Sequence, residues 1–277
     1  MSKELARLAC EAARVGAAEL LSRFRDRSLV SEAKAENDFV SAADRESEAA
    51  IVAFLERHLP DHQILSEEAG HLGPGSAEYQ WIVDPLDGTN NFLQGLPIWG
   101  ISVACRRGDE LLAGAIYDPL GDNLFEASKG NGARWNEDSM RVSNQSALAG
   151  SFLATGFPFR ARGAIDAYLQ VFRTVYLQAR SVRRCGAASL DLAYTAAGVY
   201  DGFFEFRLSA WDLAAGVILI REAGGVASDL SGGNDFLMSG NLVAGGVALH
   251  RALLQTVQQY ASESLLDDLA PLEPVFE

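Results

Sequence analysis

Leu5, Leu8, Ala12 and Val15 recur at three- and four-residue intervals and are followed by Leu20, Leu21 and Phe24, a spacing that predicts an amphipathic first helix. Residues 31–37 are polar and read as a mobile loop. Phe39-Val40 reads as a short turn into a second helix, with Ile51, Phe54, Leu55 and Leu59 on one face and Pro60 at its end. Two apolar runs follow, Ile64-Leu65 and Trp81-Ile82-Val83, each stopping at acidic residues. Residues 101–105 and 112–117 predict paired strands joined by a turn at 106–109. The second half opens with a strand-like segment at 151–155 and alternates strand-like and helix-like stretches. A helix is expected from Gly186 through Leu190, Leu192 and Ala193, a strand at 203–206, and a helix at 211–222 closed by Gly224-Gly225. Strands at 226–228 and 242–244, a last helix from about His250, and a frayed acidic tail at 266–277 complete the pattern. No internal repeat is evident, and periodicity alone supports a mixed α and β globule and nothing finer.

The chain has 277 residues, 48% of them hydrophobic, enough to bury a large core as one composite domain or two closely packed halves, 1–148 and 149–277. Lys and Arg total 23 against 37 Asp and Glu, a formal charge of −14. Such a surface argues against direct binding of nucleic acid or an anionic membrane, and an anionic substrate would need a bound metal to mask the local repulsion. Cys10, Cys105 and Cys185 have no C-x-x-C spacing and read as reduced, buried thiols of a cytoplasmic protein. The N-terminus reads as a helix and not as a signal peptide, and no segment approaches the length of a membrane span. His58, His62, His71 and His250 form no ligand pattern and are expected at surface or loop positions.

The chemistry concentrates in Trp81-Ile82-Val83-Asp84-Pro85-Leu86-Asp87-Gly88-Thr89. Pro85 has no N–H to donate, so the chain is expected to turn there, with Asp84 and Asp87 on the bend, where their oxygens can converge on a hard cation such as Mg²⁺. Gly88 and Thr89 can offer N–H groups to a phosphate. Asp-Pro and Asp-Gly pairs also simply punctuate turns. Asp44, at the expected start of the second helix, has the position of an N-cap, and Asp212, at the head of another, suits a helix dipole. What raises these residues above such readings is repetition: Ile64-Leu65-Ser66-Glu67-Glu68 and Leu208-Ser209-Ala210-Trp211-Asp212 likewise carry acid at an apolar edge.

These three blocks, together with Asp38-Phe39-Val40-Ser41-Ala42-Ala43-Asp44, resemble the inositol monophosphatase family of Mg²⁺-dependent, Li⁺-sensitive phosphatases, in order and spacing and over nearly the whole chain. The resemblance implies an α+β fold, a layered α-β-α-β-α sandwich, and hydrolysis of inositol-1-phosphate by a water between metal ions. It implies that Glu67, Asp84 and the Leu86 carbonyl hold one Mg²⁺, that Asp84, Asp87 and Asp212 hold a second, and that Glu67 with water holds a weaker third. Thr89 paired with Asp44 would orient and deprotonate the water, and the Gly88 and Thr89 amides would bind a phosphate oxygen. Glu205 would accept a hydrogen bond from a ring hydroxyl, and Ala188 would touch the ring through its backbone. A homodimer is implied too. Asn90 stands where many relatives carry a second threonine, and Arg207, close to Glu205, could favour a more anionic substrate. Fructose-1,6-bisphosphate, histidinol phosphate and 3′-phosphonucleotides are alternative substrates on such a fold. Because some bacterial relatives are partners of the transcription antitermination machinery, Arg180, Arg183 and Arg184 are a candidate protein-docking or dimer patch.

Overall fold

A computed structural model describes residues 1–26, 31–35, 38–158, 163 and 165–260 of the protein, with no side-chain description for 31–40 and 260. The acidic tail at 266–277 lies outside the described residues. Helices α1 (Ser2–Arg23) and α2 (Ala42–His58) pack together in an outer layer, and between them β1 (Ser31–Ala35) and β2 (Asp38–Ser41) form an antiparallel pair. The larger sheet contains β3 (Gln63–Ser66), β4 (Gly70–Leu72), β5 (Tyr79–Asp87), β6 (Gly100–Arg107), β7 (Glu110–Asp118), β8 (Asn123–Ser128), β9 (Ala133–Trp135) and β10 (Asp138–Ser139), in the order β10-β9-β8-β7-β6-β5-β3-β4. The smaller contains β11 (Phe152–Thr155), β12 (Ser181–Arg183), β13 (Gly202–Glu205), β14 (Val226–Ser228) and β15 (Leu242–Gly245), in the order β12-β11-β13-β15-β14. Helix α3 (Thr89–Leu93) follows β5, α4 (Ile165–Gln178) precedes β12, α5 (Ala188–Ala196) and α6 (Ala210–Glu222) flank β13, and α7 (Phe236–Ser239) and α8 (Val247–Tyr260) flank β15.

Strand alternation divides the apolar side chains among three cores. In β5, Trp81 and Val83 face α1 and α2, whereas Ile82 faces the opposite side, where α5 and α6 lie. In the smaller sheet, Ala154, Phe203, Leu242 and Ala244 face that same central core, while Leu153, Phe204 and Val243 face α4 and α8. The period-2 pleat thus builds the α-β-α-β-α sandwich directly. Helix α6 is the shared wall between the sheets, and every residue from Asp212 to Ile220 is buried. Helix α1 leans on α2 at Gly16, where a Cβ would lie 2.6 Å from Ile51 Cδ1 and 2.7 Å from Ser47 Oγ. No helix among the described residues is long and apolar enough to cross a membrane.

Four local expectations are corrected. The backbone of 31–35 pairs with β2 as a hairpin and is not a loop, because main-chain bonding satisfies a polar stretch as well as an apolar one. The chain does not turn at Pro85. Strand β5 continues to Asp87 through an irregularity at which Asp84 opposes Ser102 and Asp87 opposes Gly100, so three steps on β5 match two on β6. One extra residue absorbs the missing N–H, and the turn comes at Gly88, whose φ is +91°. His250 is buried in α8, its Nε2 2.9 Å from Ser228 Oγ. Of the cysteines, Cys10 and Cys105 are buried as expected, but Cys185 is only half-buried.

Candidate active site

The parallel pairing of β3 with β5 brings two acidic strand ends to one edge. Ser66 stands opposite Val83, and the Glu67 N–H continues the ladder to the Val83 carbonyl at 3.2 Å, so Glu67 emerges beside Asp84. In an unbroken strand, residues three apart face opposite sides. The extra residue between Asp84 and Asp87 restores a common side, and their carboxylates meet that of Asp212 with oxygens all within 4.8 Å. Asp212 is delivered by α6. Its Oδ2 accepts the Ser209 N–H at 2.7 Å in a capping box, and Ser102, opposite Asp84, donates its hydroxyl to the Trp211 carbonyl at 3.0 Å.

Crowding these acids in a dry place is costly without a counter-charge. Asp84, Asp87 and Asp212 are 1%, 8% and 7% exposed. Burial, followed by the charges of Glu67, Asp87 and Asp212, holds the Asp84 carboxyl well above the usual carboxylate range, opposed by the Leu86 N–H that it accepts at 3.0 Å. Burial and the Asp212 charge push Asp87 up to about 7 against hydrogen bonds from Ser189 and Ala188. A buried set of hard oxygen donors pressed together against their mutual repulsion is suited to a small divalent cation such as Mg²⁺, whose charge would relieve it. Glu67 is half-buried, and Leu86 lies in the chain between the two β5 aspartates.

Next to this cluster, Thr89 Oγ1 lies 3.1 Å from both Asp44 Oδ1 and the Leu86 carbonyl. Asp44 is the N3 residue of α2, not its N-cap. The cap is Ser41, whose N–H and hydroxyl donate to Asp44 Oδ2 at 2.9 and 2.6 Å. Burial raises the Asp44 carboxyl while these donors and Thr89 oppose it. Gly88 and Thr89 stand at the entry of α3, before its first backbone bond from the Phe92 N–H to the Gly88 carbonyl, so their N–H groups face outward from the helix start.

Glu205 ends β13, 6% exposed, and is held well above the usual range by burial and by the charges of Asp191 and Asp212, with Arg184 opposing them. Gly156 makes room for it: a Cβ there would sit 1.9 Å from Glu205 Oε1. Ala188 opens α5, and its N–H is directed at Asp87. Arg184 passes across Gly186, its Nη1 2.6 Å from where a Cβ would be, with its guanidinium 5.9 Å from the Phe157 ring centre. Arg180 and Arg183 instead stand over Phe152. Arg207 adopts a left-handed φ of +62° and donates its N–H to Asn241 Oδ1 at 3.2 Å. Asn90 is exposed in the first turn of α3.

Several supporting residues escape the sequence pattern. Ser189 donates both its N–H, at 2.7 Å, and its hydroxyl, at 2.5 Å, to Asp87 Oδ2. Asn91 Nδ2 donates to the Ile98 and Cys185 carbonyls at 2.8 and 2.9 Å and ties the segment after Gly88 to the one before α5. A serine or asparagine next to a motif is too common a residue to be singled out from sequence.

The inositol monophosphatase family pattern matches residues 1–262. The chain belongs to that family. It is 47% identical over 232 residues to the Nus factor SuhB of Pseudomonas aeruginosa, covering 82% of this chain and 86% of the relative. It is 45% identical over 226 residues to the inositol-1-monophosphatase of Mesorhizobium japonicum, covering 82% and 85%. Among solved structures, the extragenic suppressor protein suhB of Bartonella henselae superposes with a TM-score of 0.85 at 37% identity over 91% of this chain and 96% of that one. The layered α+β sandwich is therefore the fold of this family, and the acidic strand ends lie where its four sequence blocks converge.

Proposed function

We propose that the protein is a Mg²⁺-dependent phosphomonoesterase acting on inositol-1-phosphate. The observation that carries this reading is the buried meeting of Asp84, Asp87 and Asp212 beside the Thr89–Asp44 pair. Glu67, Asp84, the Leu86 carbonyl, Asp87 and Asp212 would hold Mg²⁺, two or three ions per site. Bound there, Mg²⁺ supplies charge neutralisation at the phosphoryl oxygens and a lowered pKa for water. When the Thr89 hydroxyl donates to Asp44 Oδ1, a lone pair on Oγ1 is left to accept from a water and aim it at phosphorus, and the water proton has a route through Oγ1 to Asp44. The Gly88 and Thr89 N–H groups hold a phosphate oxygen, the new P–O bond forms with the water oxygen, and the ester P–O bond breaks, the leaving alkoxide oxygen taking a proton from solvent and departing as the alcohol. Glu205 accepts a hydrogen bond from a ring hydroxyl. Ala188 contributes a backbone contact to the ring.

The Mesorhizobium relative's name supports the substrate. Turnover of inositol-1-phosphate, fructose-1,6-bisphosphate, histidinol phosphate and a 3′-phosphonucleotide, each with and without Mg²⁺, tests it. Highest kcat/KM on inositol-1-phosphate, lost to a chelator, is the expected result, and a bisphosphate preference would replace the substrate assignment.

A second reading is favoured by the Pseudomonas relative's name: a partner role in the transcription machinery within the cytoplasm. Arg180 and Arg183, stacked on Phe152, are its candidate docking residues. A homodimer is also proposed, since Leu169, Tyr176 and Leu177 leave α4 an outer face 43%, 57% and 66% exposed at these positions. Light scattering of the purified chain would detect it.

A further inference from the structure

Beside Asp44, the outer-layer helix α2 buries two polar groups that the proposed chemistry does not use, Ser47 and Glu48. Its inward face carries Asp44 at 1%, Ser47 at 0% and Glu48 at 7% exposure, one turn of helix. Each reaches a different part of the site. Asp44 meets Thr89, and Ser47 donates its hydroxyl to the Pro85 carbonyl at 3.0 Å, inside the irregular stretch of β5. Glu48 Oε1 accepts the Ser66 hydroxyl, the Glu68 N–H at 3.0 Å and the Ala69 N–H at 3.1 Å.

Those three donors bracket Glu67. The residue before it is held by its side chain, and the two after it by their main chain, while the Glu67 N–H itself is bonded to Val83. An acidic side chain leaving the end of a strand would otherwise sample many directions, and a ligand that must be ordered during binding binds more weakly. Ser66 is fully buried, so a water cannot readily replace the carboxylate. A carboxylate placed on the dry side of a helix has a desolvation cost that a shorter apolar residue would avoid, which calls for a compensating role.

We propose that Glu48 is a positioning residue that fixes the direction of Glu67 and so sets the affinity of the site for its divalent cation, with α2 holding the cation-binding turn and the Thr89–Asp44 pair in one register. This rests on the metal reading above. The residue touches neither substrate nor reacting water, so its removal should act on cation binding and leave substrate affinity alone.

The test is the Mg²⁺ concentration that gives half of the maximal rise in melting temperature, measured on the metal-free full chain, with KM for inositol-1-phosphate at saturating Mg²⁺ as control. Glu48→Ala should raise the midpoint by about ten- to a hundredfold, the range found when groups that orient metal ligands are removed, with KM unchanged. Glu48→Gln should recover most of this loss, since its amide oxygen can accept all three donors. Ser66→Ala removes one donor without disturbing volume and should raise the midpoint about two- to tenfold. It keeps the question answerable if Glu48→Ala does not fold. A lower melting temperature with unchanged Mg²⁺ midpoints in the variants would mean that Glu48 only braces the fold, and the proposal would be wrong. A wild-type chain whose melting is indifferent to Mg²⁺ would overturn the metal reading itself, and this inference with it.

Discussion

Helices α2 and α6 begin alike and end up with different chemistry. Each starts with a serine cap and an aspartate three residues on, Ser41 with Asp44 and Ser209 with Asp212, and in each the aspartate reaches back to the serine N–H. In α2 that acid is satisfied on both oxygens, by Ser41 and by Thr89. In α6 it is pressed against Asp84 and Asp87. The local signal is the same, and the layer into which each helix packs decides the outcome: α2 lies outside the larger sheet and meets hydroxyls, whereas α6 lies between the sheets and meets carboxylates. Capping geometry aims an acid. Its neighbours determine whether that acid directs a proton or waits for a cation.

The contrast can be broken most sharply by neutralising each acid in turn. Asp84→Asn and Asp212→Asn should abolish Mg²⁺-dependent turnover and remove the Mg²⁺-induced rise in melting temperature, while the metal-free fold persists or gains stability as repulsion is relieved. Near-normal hydrolysis by either variant would sink the ligand assignment. Asp44→Asn should instead retain the Mg²⁺ response and lose about 10²–10⁴-fold in kcat, the usual worth of a positioned base. If it lost the Mg²⁺ response as well, the two helices would not differ in the way described.

Next in size is selectivity. Glu205→Gln should reduce kcat/KM on inositol-1-phosphate about ten- to a hundredfold more than on glycerol 2-phosphate, as expected for a hydrogen bond to a charged group. Gly156→Ala should act in the same direction, because the added methyl would occupy the space of the Glu205 carboxylate. Equal loss on both esters would assign Glu205 to support of the acid cluster.

The pH dependence of the metal-free fold tests the crowding around α6 through Asp87. Folding pushes the Asp87 carboxyl from 3.8 up to about 7, so between those values the folded chain holds a proton that the unfolded chain releases. The resulting stability is fully present below about pH 4 and is lost as pH rises through 7, at up to about 1.4 kcal/mol per pH unit. Without metal, wild-type melting should therefore fall relative to Asp87→Asn between about pH 5 and 7, and saturating Mg²⁺ should blunt the wild-type decline. Parallel profiles would contradict the crowding described for the cluster. The smallest effects belong to the caps: Ser209→Ala should cost about 1 kcal/mol of stability by chemical denaturation, with Ser41→Ala similar in stability but additionally lowering kcat through Asp44.

Much of this was legible in the residues. The apolar runs ending at Glu67 and Asp84 announced strands whose tips carry acid, and the 211–222 pattern located α6 to within a residue. What could not be read was the phase of β5. Proline signals a missing donor, but whether the chain turns or inserts one unpaired residue depends on β6 across the ladder, and only the second solution puts Asp84 and Asp87 on one side. The hairpin at β1 and β2 was hidden for a related reason, since backbone pairing leaves no hydrophobic trace in a polar stretch. Residues 165–178 carried no assigned element because α4 buries only Tyr168, Val171 and Val175 on its inner face. The supports of the site, Ser189, Asn91, Ser102 and Glu48, act through partners far away in the chain, and no local spacing marks them.

Gly16 gives this architecture a vulnerable point far in the chain from every acid discussed. Its missing side chain lets α1 settle directly onto Ser47 and Ile51, so any larger residue there must push against the same buried face of α2 that holds Asp44 and Glu48. A random-mutagenesis screen for inactive variants should therefore recover substitutions at position 16 with all ligands intact, and second-site revertants should cluster among smaller residues at position 51, where shortening isoleucine reopens the gap.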